Sequence, residues 1–127
     1  MRERDFLARI QELGDLPSRK EADQWAMTVL IALTHLLPDR HKRRRLITQL
    51  PGTLKARLLD EPPGALLMDL DAFLQHVAAG LGTHAPGGER AVRVVYRALR
   101  EAVSRGELAK VEVHLPKDVT RFLERAA

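Results

Sequence analysis

The chain of 127 residues contains no cysteine. That excludes a disulfide-stapled secreted scaffold, thiol chemistry and any cysteine-ligated metal. Aromatic residues make up only 4%, and no aromatic platform, helix-turn-helix signature or glycine-rich phosphate loop of the kind used in nucleic-acid recognition is evident. No apolar run approaches the roughly 18 to 20 residues that span a bilayer, and the charged opening Met1-Arg2-Glu3-Arg4-Asp5 does not read as a signal peptide. A soluble cytoplasmic protein with no membrane partner is the expectation.

Reactive groups are equally scarce. Of the two serines, Ser18 belongs to a capping box with Glu21 and Ser104 lies beside Arg105-Gly106, so neither stands on the strand-to-helix elbow of a hydrolase. His35, His41, His76, His84 and His114 show no metal-ligand spacing. Asp69 and Asp71 read as a helix cap and a first-turn acid rather than an acid-base pair. The segment Gly80 to Gly88 lacks the Lys-Ser/Thr ending of a phosphate loop and is expected to be an interhelical turn. No enzyme, cofactor or metal is therefore expected.

What the sequence does contain is helical periodicity in a chain that is 45% apolar and 30% charged, one domain's worth of residues. Phe6, Ile10 and Leu13 recur at helical spacing up to Gly14, which reads as a glycine stop. A second helix runs from Ser18 to about Leu37 with a broad apolar face, and Trp25 lies on it. Met27 and Ile31 fall on its other side, where they could form an exposed partner or self-association surface. A third helix is predicted over about 39–50 and a short fourth after Pro51. Beyond the linker at 60–64, a fifth carries Phe73 and Val77, and a long sixth runs from Ala91 to Val103 with Tyr96 inward. Two short helices complete the chain. Val111-Glu112-Val113 alternates like a strand, but its counterpart Leu46 to Thr48 is helical, so a helix is expected there too.

The second half echoes the first. Phe6-Leu7 matches Phe73-Leu74, Ala32-Leu33 matches Ala98-Leu99, and Gln49-Leu50-Pro51 matches His114-Leu115-Pro116. The expectation is an all-α bundle of about eight helices in a single domain, 1–127. Its two four-helix units, about 1–60 and 65–127, would close on a shared core with approximate two-fold symmetry. Gln49 and His114, at matching positions, are expected to satisfy backbone groups freed by the following proline.

Charge is unevenly placed. Residues 1–60 hold 12 basic and 8 acidic side chains, residues 61–127 hold 9 of each, and the net charge is +4. The excess comes from Arg40-His41-Lys42-Arg43-Arg44-Arg45. Arg40, Lys42, Arg44 and Arg45 are candidate polyanion contacts, while Arg43 falls on the core side near Asp39. About three neutralised phosphates would give weak, non-specific nucleic-acid attachment. Arg90, Arg93, Arg97 and Arg100 form a second stripe, where Glu89–Arg93 and Arg97–Glu101 have the i, i+4 spacing of ion pairs on an exposed helix.

Phe6-Leu7-Ala8-Arg9-Ile10, the Ala-rich second helix, Gln49-Leu50-Pro51, Phe73-Leu74-Gln75-His76-Val77 and Leu115-Pro116-Lys117-Asp118 together resemble the uncharacterised bacterial family called domain of unknown function 2267, across essentially the whole chain. The resemblance implies a compact all-α fold of duplicated helical units. It brings no activity, cofactor or catalytic residue. The preferred functional expectation is a non-catalytic protein-interaction or scaffold module, with an unidentified partner or self-association. The alternative is a weak non-specific nucleic-acid or polyanion binder acting through the arginine run.

Overall fold

The computed structural model describes residues 1–61 and 66–125; the Pro62-Pro63-Gly64 part of the expected linker lies outside the described residues. Eight helices and no strand occur among the described residues. They are α1 (Glu3–Gly14), α2 (Arg19–Leu36), α3 (Arg40–Ile47), α4 (Leu54–Leu59), α5 (Leu70–Leu81), α6 (Ala85–Ala102), α7 (Arg105–Glu112) and α8 (Lys117–Arg125). Val111 and Glu112 are helical, in the last turn of α7. The lengths 12, 18 and 8 open both halves in the same order.

Local chemistry sets most of these boundaries. Ser18, Asp39, Asp69 and Ser104 cap α2, α3, α5 and α7, each accepting the backbone N–H three residues on, at 2.9 to 3.3 Å. Histidine takes the same role at α6, where His84 Nδ1 accepts the Gly87 N–H at 3.2 Å. This corrects the expected loop over Gly80 to Gly88: Gly80 belongs to α5, Gly82 adopts the left-handed φ of 65°, and α6 already begins at Ala85. Pro86 stands in the first turn of α6, where it has no helical hydrogen bond to lose.

At Gly14 and Gly88 the missing Cβ makes room for a neighbour. At the end of α1 the left-handed residue is Asp15, φ 51°, and not Gly14. Gly14 is helical, and a Cβ there would stand 3.1 Å from the Trp25 ring. At Gly88 a Cβ would meet the Leu74 carbonyl at 2.8 Å and the Ala78 N at 2.9 Å. Glycine thus lets α6 lie directly on the backbone of α5.

Packing crosses between the halves. α1 packs on α2 and on α6, α5 packs on α6 and on α2, and α3 meets α7. A single hydrophobic core results, drawing Phe6 and Ile10 from α1, Leu30 and Leu33 from α2, Phe73 and Val77 from α5, and Val95, Tyr96 and Leu99 from α6. Asp118 of α8 accepts the Leu70 N–H at 2.7 Å, so the start of α5 is tied to the last helix. Trp25 packs against the core from its edge, whereas Tyr96 is buried within it.

Leu33 is 2% exposed and sits with Leu46, Tyr96, Leu99, Leu108 and Val111 where α2, α3, α6 and α7 converge. Leu33→Ala is expected to destabilise the fold by about 2–5 kcal/mol, read from the urea midpoint at unchanged m-value. A loss below about 0.5 kcal/mol, the level of an ordinary surface substitution, would contradict this packing.

Candidate functional site

A cleft of about 430 Å³ opens where the end of α2, the outer face of α3 and the end of α4 meet. Thr34 and His35 come from α2, Arg40, Arg43, Arg44 and Ile47 from α3, Leu58 and Leu59 from α4, and Glu61 from the turn after it. The shape follows from the turn at Leu37, whose extended backbone ends α2 and redirects the chain into α3. Leu58 faces the core while its neighbour Leu59 is 51% exposed at the cleft wall. Leu66 and Leu67 are also exposed, and the Leu66 N–H donates to the His35 carbonyl at 2.9 Å, which places that segment beside the cleft.

The basic run is divided by this geometry. Arg40, Arg43 and Arg44 line the cleft; Arg45 lies with Arg44, His41 and Thr48 along a separate shallow groove. Lys42 is half-buried and its ammonium pairs with Asp39 at 3.4 Å. The Asp39 carboxyl is held below its ordinary value, chiefly by the Lys42 backbone N–H. Arg43 does lie inward and reaches Asp39, but its Nε donates at 3.3 Å to the backbone carbonyl and not to the carboxylate. Among the described residues, Arg40, Arg44 and Arg45 form no ion pair.

His35 is the residue that sequence patterns missed. Its Nδ1 is buried and has no hydrogen-bond partner among the described residues, and its ring lies 5.9 Å from that of His76 on α5. Burial pushes its pKa below 6.5, His76 and Arg43 push it the same way, and only Glu61 opposes them. The neighbouring Thr34 hydroxyl is committed to the Ile31 carbonyl at 2.6 Å.

The arginine stripe of α6 is largely absorbed by the fold. Arg90 lies over Trp25 and donates to the Gly14 carbonyl at 2.8 Å, Arg93 lies over Phe122 and pairs with Glu89 at 2.7 Å, and Arg100 lies over Tyr96. The expected Arg97–Glu101 pair is not made, because Glu101 accepts both of its bonds from Arg9 of α1, at 2.9 and 3.0 Å. Spacing on one helix cannot reveal a competitor on another.

Met27 and Ile31 are half-buried and pack against the core; Ile31 shares a shallow depression with Thr28 and with His76, Ala79 and Gly80 of α5. Gln49 and His114 are half-buried, and the turns that contain them are closed by backbone bonds, Gln49 N–H to Leu46 and His114 N–H to Val111, both 3.0 Å.

A second cleft, about 530 Å³, occurs at the end of α6, lined by Arg100, Arg105, Leu108, Ala109, Glu112 and Glu124. The Tyr96 hydroxyl donates to Glu112 at its inner edge, and burial together with that carboxylate pushes the phenol pKa up. No three His, Asp or Glu side chains converge at metal-binding distance, and no helix is long and apolar enough to cross a membrane, among the described residues.

Comparison with protein families matches residues 3–122 to the family described as "Uncharacterized conserved protein (DUF2267)". A search of the curated proteins finds no match.

Because the His35 pKa is lower in the folded chain than its ordinary 6.5, the unfolded chain takes up a proton first as pH falls. Stability should be undiminished by this group above about pH 6.5 and decline below it, until the folded-state pKa is passed. Urea midpoints of the wild type and of His35→Gln at pH 7.5 and pH 5.5 test this. The wild type should lose more stability than the variant between the two; equal losses would contradict the assignment.

Proposed function

We propose, for a chain that belongs to the DUF2267 family of uncharacterized conserved proteins, that it is a non-catalytic binding module whose cleft between α2, α3 and α4 takes an acidic, leucine-bearing segment of a partner protein. The observation that carries this reading is the meeting of unneutralised guanidinium groups with exposed leucines. Arg40 and Arg44 stand on one wall with no carboxylate partner among the described residues, and Leu59 stands on the other, with Leu66 and Leu67 nearby. Arginine binds carboxylates through a planar fork of donors, and apolar side chains beside it gain by leaving water. A segment carrying both features satisfies both walls at once.

The contact surface is placed here rather than at Met27 and Ile31, whose side chains are already half covered by the protein's own core. Electrostatic attraction would speed encounter, and the leucines would supply much of the holding energy.

A second reading is weak attachment to nucleic acid through Arg40, Lys42, Arg44 and Arg45. It is favoured by the groove along His41, Arg44, Arg45 and Thr48, which no leucine lines. Contacts to about three phosphates would give a salt slope of about −3 on duplex DNA.

Fluorescence anisotropy with a labelled peptide of alternating glutamate and leucine, and with labelled duplex DNA, separates the two. The partner-segment reading expects tighter binding of the peptide, weakened at least tenfold, about 1.4 kcal/mol, by Arg40→Ala with Arg44→Ala, and weakened also by Leu59→Ser. Tighter binding of DNA, with Leu59→Ser silent and Arg45→Ala harmful, would replace it with the nucleic-acid reading.

A further inference from the structure

The cleft at the end of α6 lies at the same place in its half as the cleft described above does in the first. Arg100 stands 66 positions after Thr34, while Arg105, Leu108, Ala109, Glu112 and Glu124 stand 65 after Arg40, Arg43, Arg44, Ile47 and Leu59. Every residue lining the second cleft therefore has a counterpart lining the first. One cation, Arg40 or Arg105, opens the short helix in both.

The chemistry of the two walls has diverged. In the first cleft Arg43 and Arg44 face Leu59; in the second, Leu108 and Ala109 replace those arginines and Glu124 replaces the leucine. The local charges in the second half are mostly occupied: Glu101 by Arg9, Glu89 by Arg93, Glu107 by Lys110, and Glu112 by the Tyr96 hydroxyl. Among the charged lining groups, Arg100 lies over the Tyr96 ring and Glu112 accepts from the Tyr96 hydroxyl, while Arg105 and Glu124 form no ion pair and no side-chain hydrogen bond among the described residues. One fork donor, Arg105, and one carboxylate, Glu124, thus stand open in a cleft that also holds the apolar Leu108 and Ala109.

We propose that the cleft lined by Arg100, Arg105, Leu108, Ala109, Glu112 and Glu124 is a second docking site, for a partner segment of mixed charge that places a carboxylate on Arg105, an apolar side chain on Leu108 and Ala109, and a cation on Glu124. The site is separate from the one assigned under the proposed function and does not require it. Together the two would let one chain hold two different segments, so that linked segments bind more tightly than either alone.

The test uses the ¹⁵N-labelled full chain and two synthetic peptides, one bearing a glutamate, a leucine and a lysine, the other with glutamate in place of the lysine. The mixed-charge peptide should shift the amides of 105–109, and the all-acidic peptide those of 40–44. Arg105→Ala should weaken the mixed-charge peptide at least fivefold and leave the all-acidic peptide unchanged. Glu124→Lys should reverse the preference of the 105–109 region toward the all-acidic peptide, with the remaining spectrum preserved as the check of folding. The proposal is overturned if the mixed-charge peptide leaves 105–109 unmoved, or if Arg105→Ala and Glu124→Lys are both silent. Failure of the all-acidic peptide to move 40–44 would instead count against the first cleft alone.

Discussion

Neither of the two 18-residue helices has enough surface in its own half to hide behind. α2 buries Ala22, Ala26, Val29, Leu30, Ala32 and Leu33, and a helix apolar over so wide an arc needs neighbours on several sides. Its own hairpin partner α1 covers one side, and α5, from the other half, covers another; α6 is served the same way by α5 and α1. The constraint is mutual cover. Remove either hairpin and a long helix of the opposite half is left facing water.

Both clefts follow from that arrangement. With α2 and α6 committed to the core along their lengths, the chain must turn sharply where each long helix stops, at Leu37 and at Val103, both in extended conformation. The short helices that follow lean on the ends of the long ones and leave a recess against α4 and near α8. The core-facing side of each recess is fixed by packing, as with Leu58 and Leu108, while the outer positions are open to change. Arginines illustrate the division well. Those of α6 at 90, 93 and 100 lie across aromatic rings supplied by α2, α8 and α6 itself, whereas those at 40, 44 and 45 face solvent with no partner acid among the described residues.

Much of the helical order was legible because its causes are local. Apolar spacing at Phe6 and Ile10, the capping box at Ser18, and the acid at Asp69 each act within a few residues, and each is visible in a short window of sequence. The misreadings have equally physical origins. His84 seldom serves as a cap, so the start of α6 was hidden inside what reads as a glycine-rich loop. Gly14 reads as a left-handed stop, yet it is helical and lies close under the Leu16 and Trp25 side chains, and Asp15 takes the positive φ. Glu101 turns to Arg9 across 92 residues of sequence. The cleft was illegible for a similar reason: the run Arg40 to Arg45 gives the cations, but which of them share a cleft with Leu59 and His35 depends on how three elements meet.

The most direct test of mutual cover is native-state hydrogen exchange of the central amides of α2 and α6, followed through sub-denaturing urea. If each long helix is held by both halves, the two sets open together, with the same free energy and the same denaturant dependence as global unfolding. If one half stays protected at urea concentrations where the other has already exchanged, the halves stand independently and the account of the core is wrong.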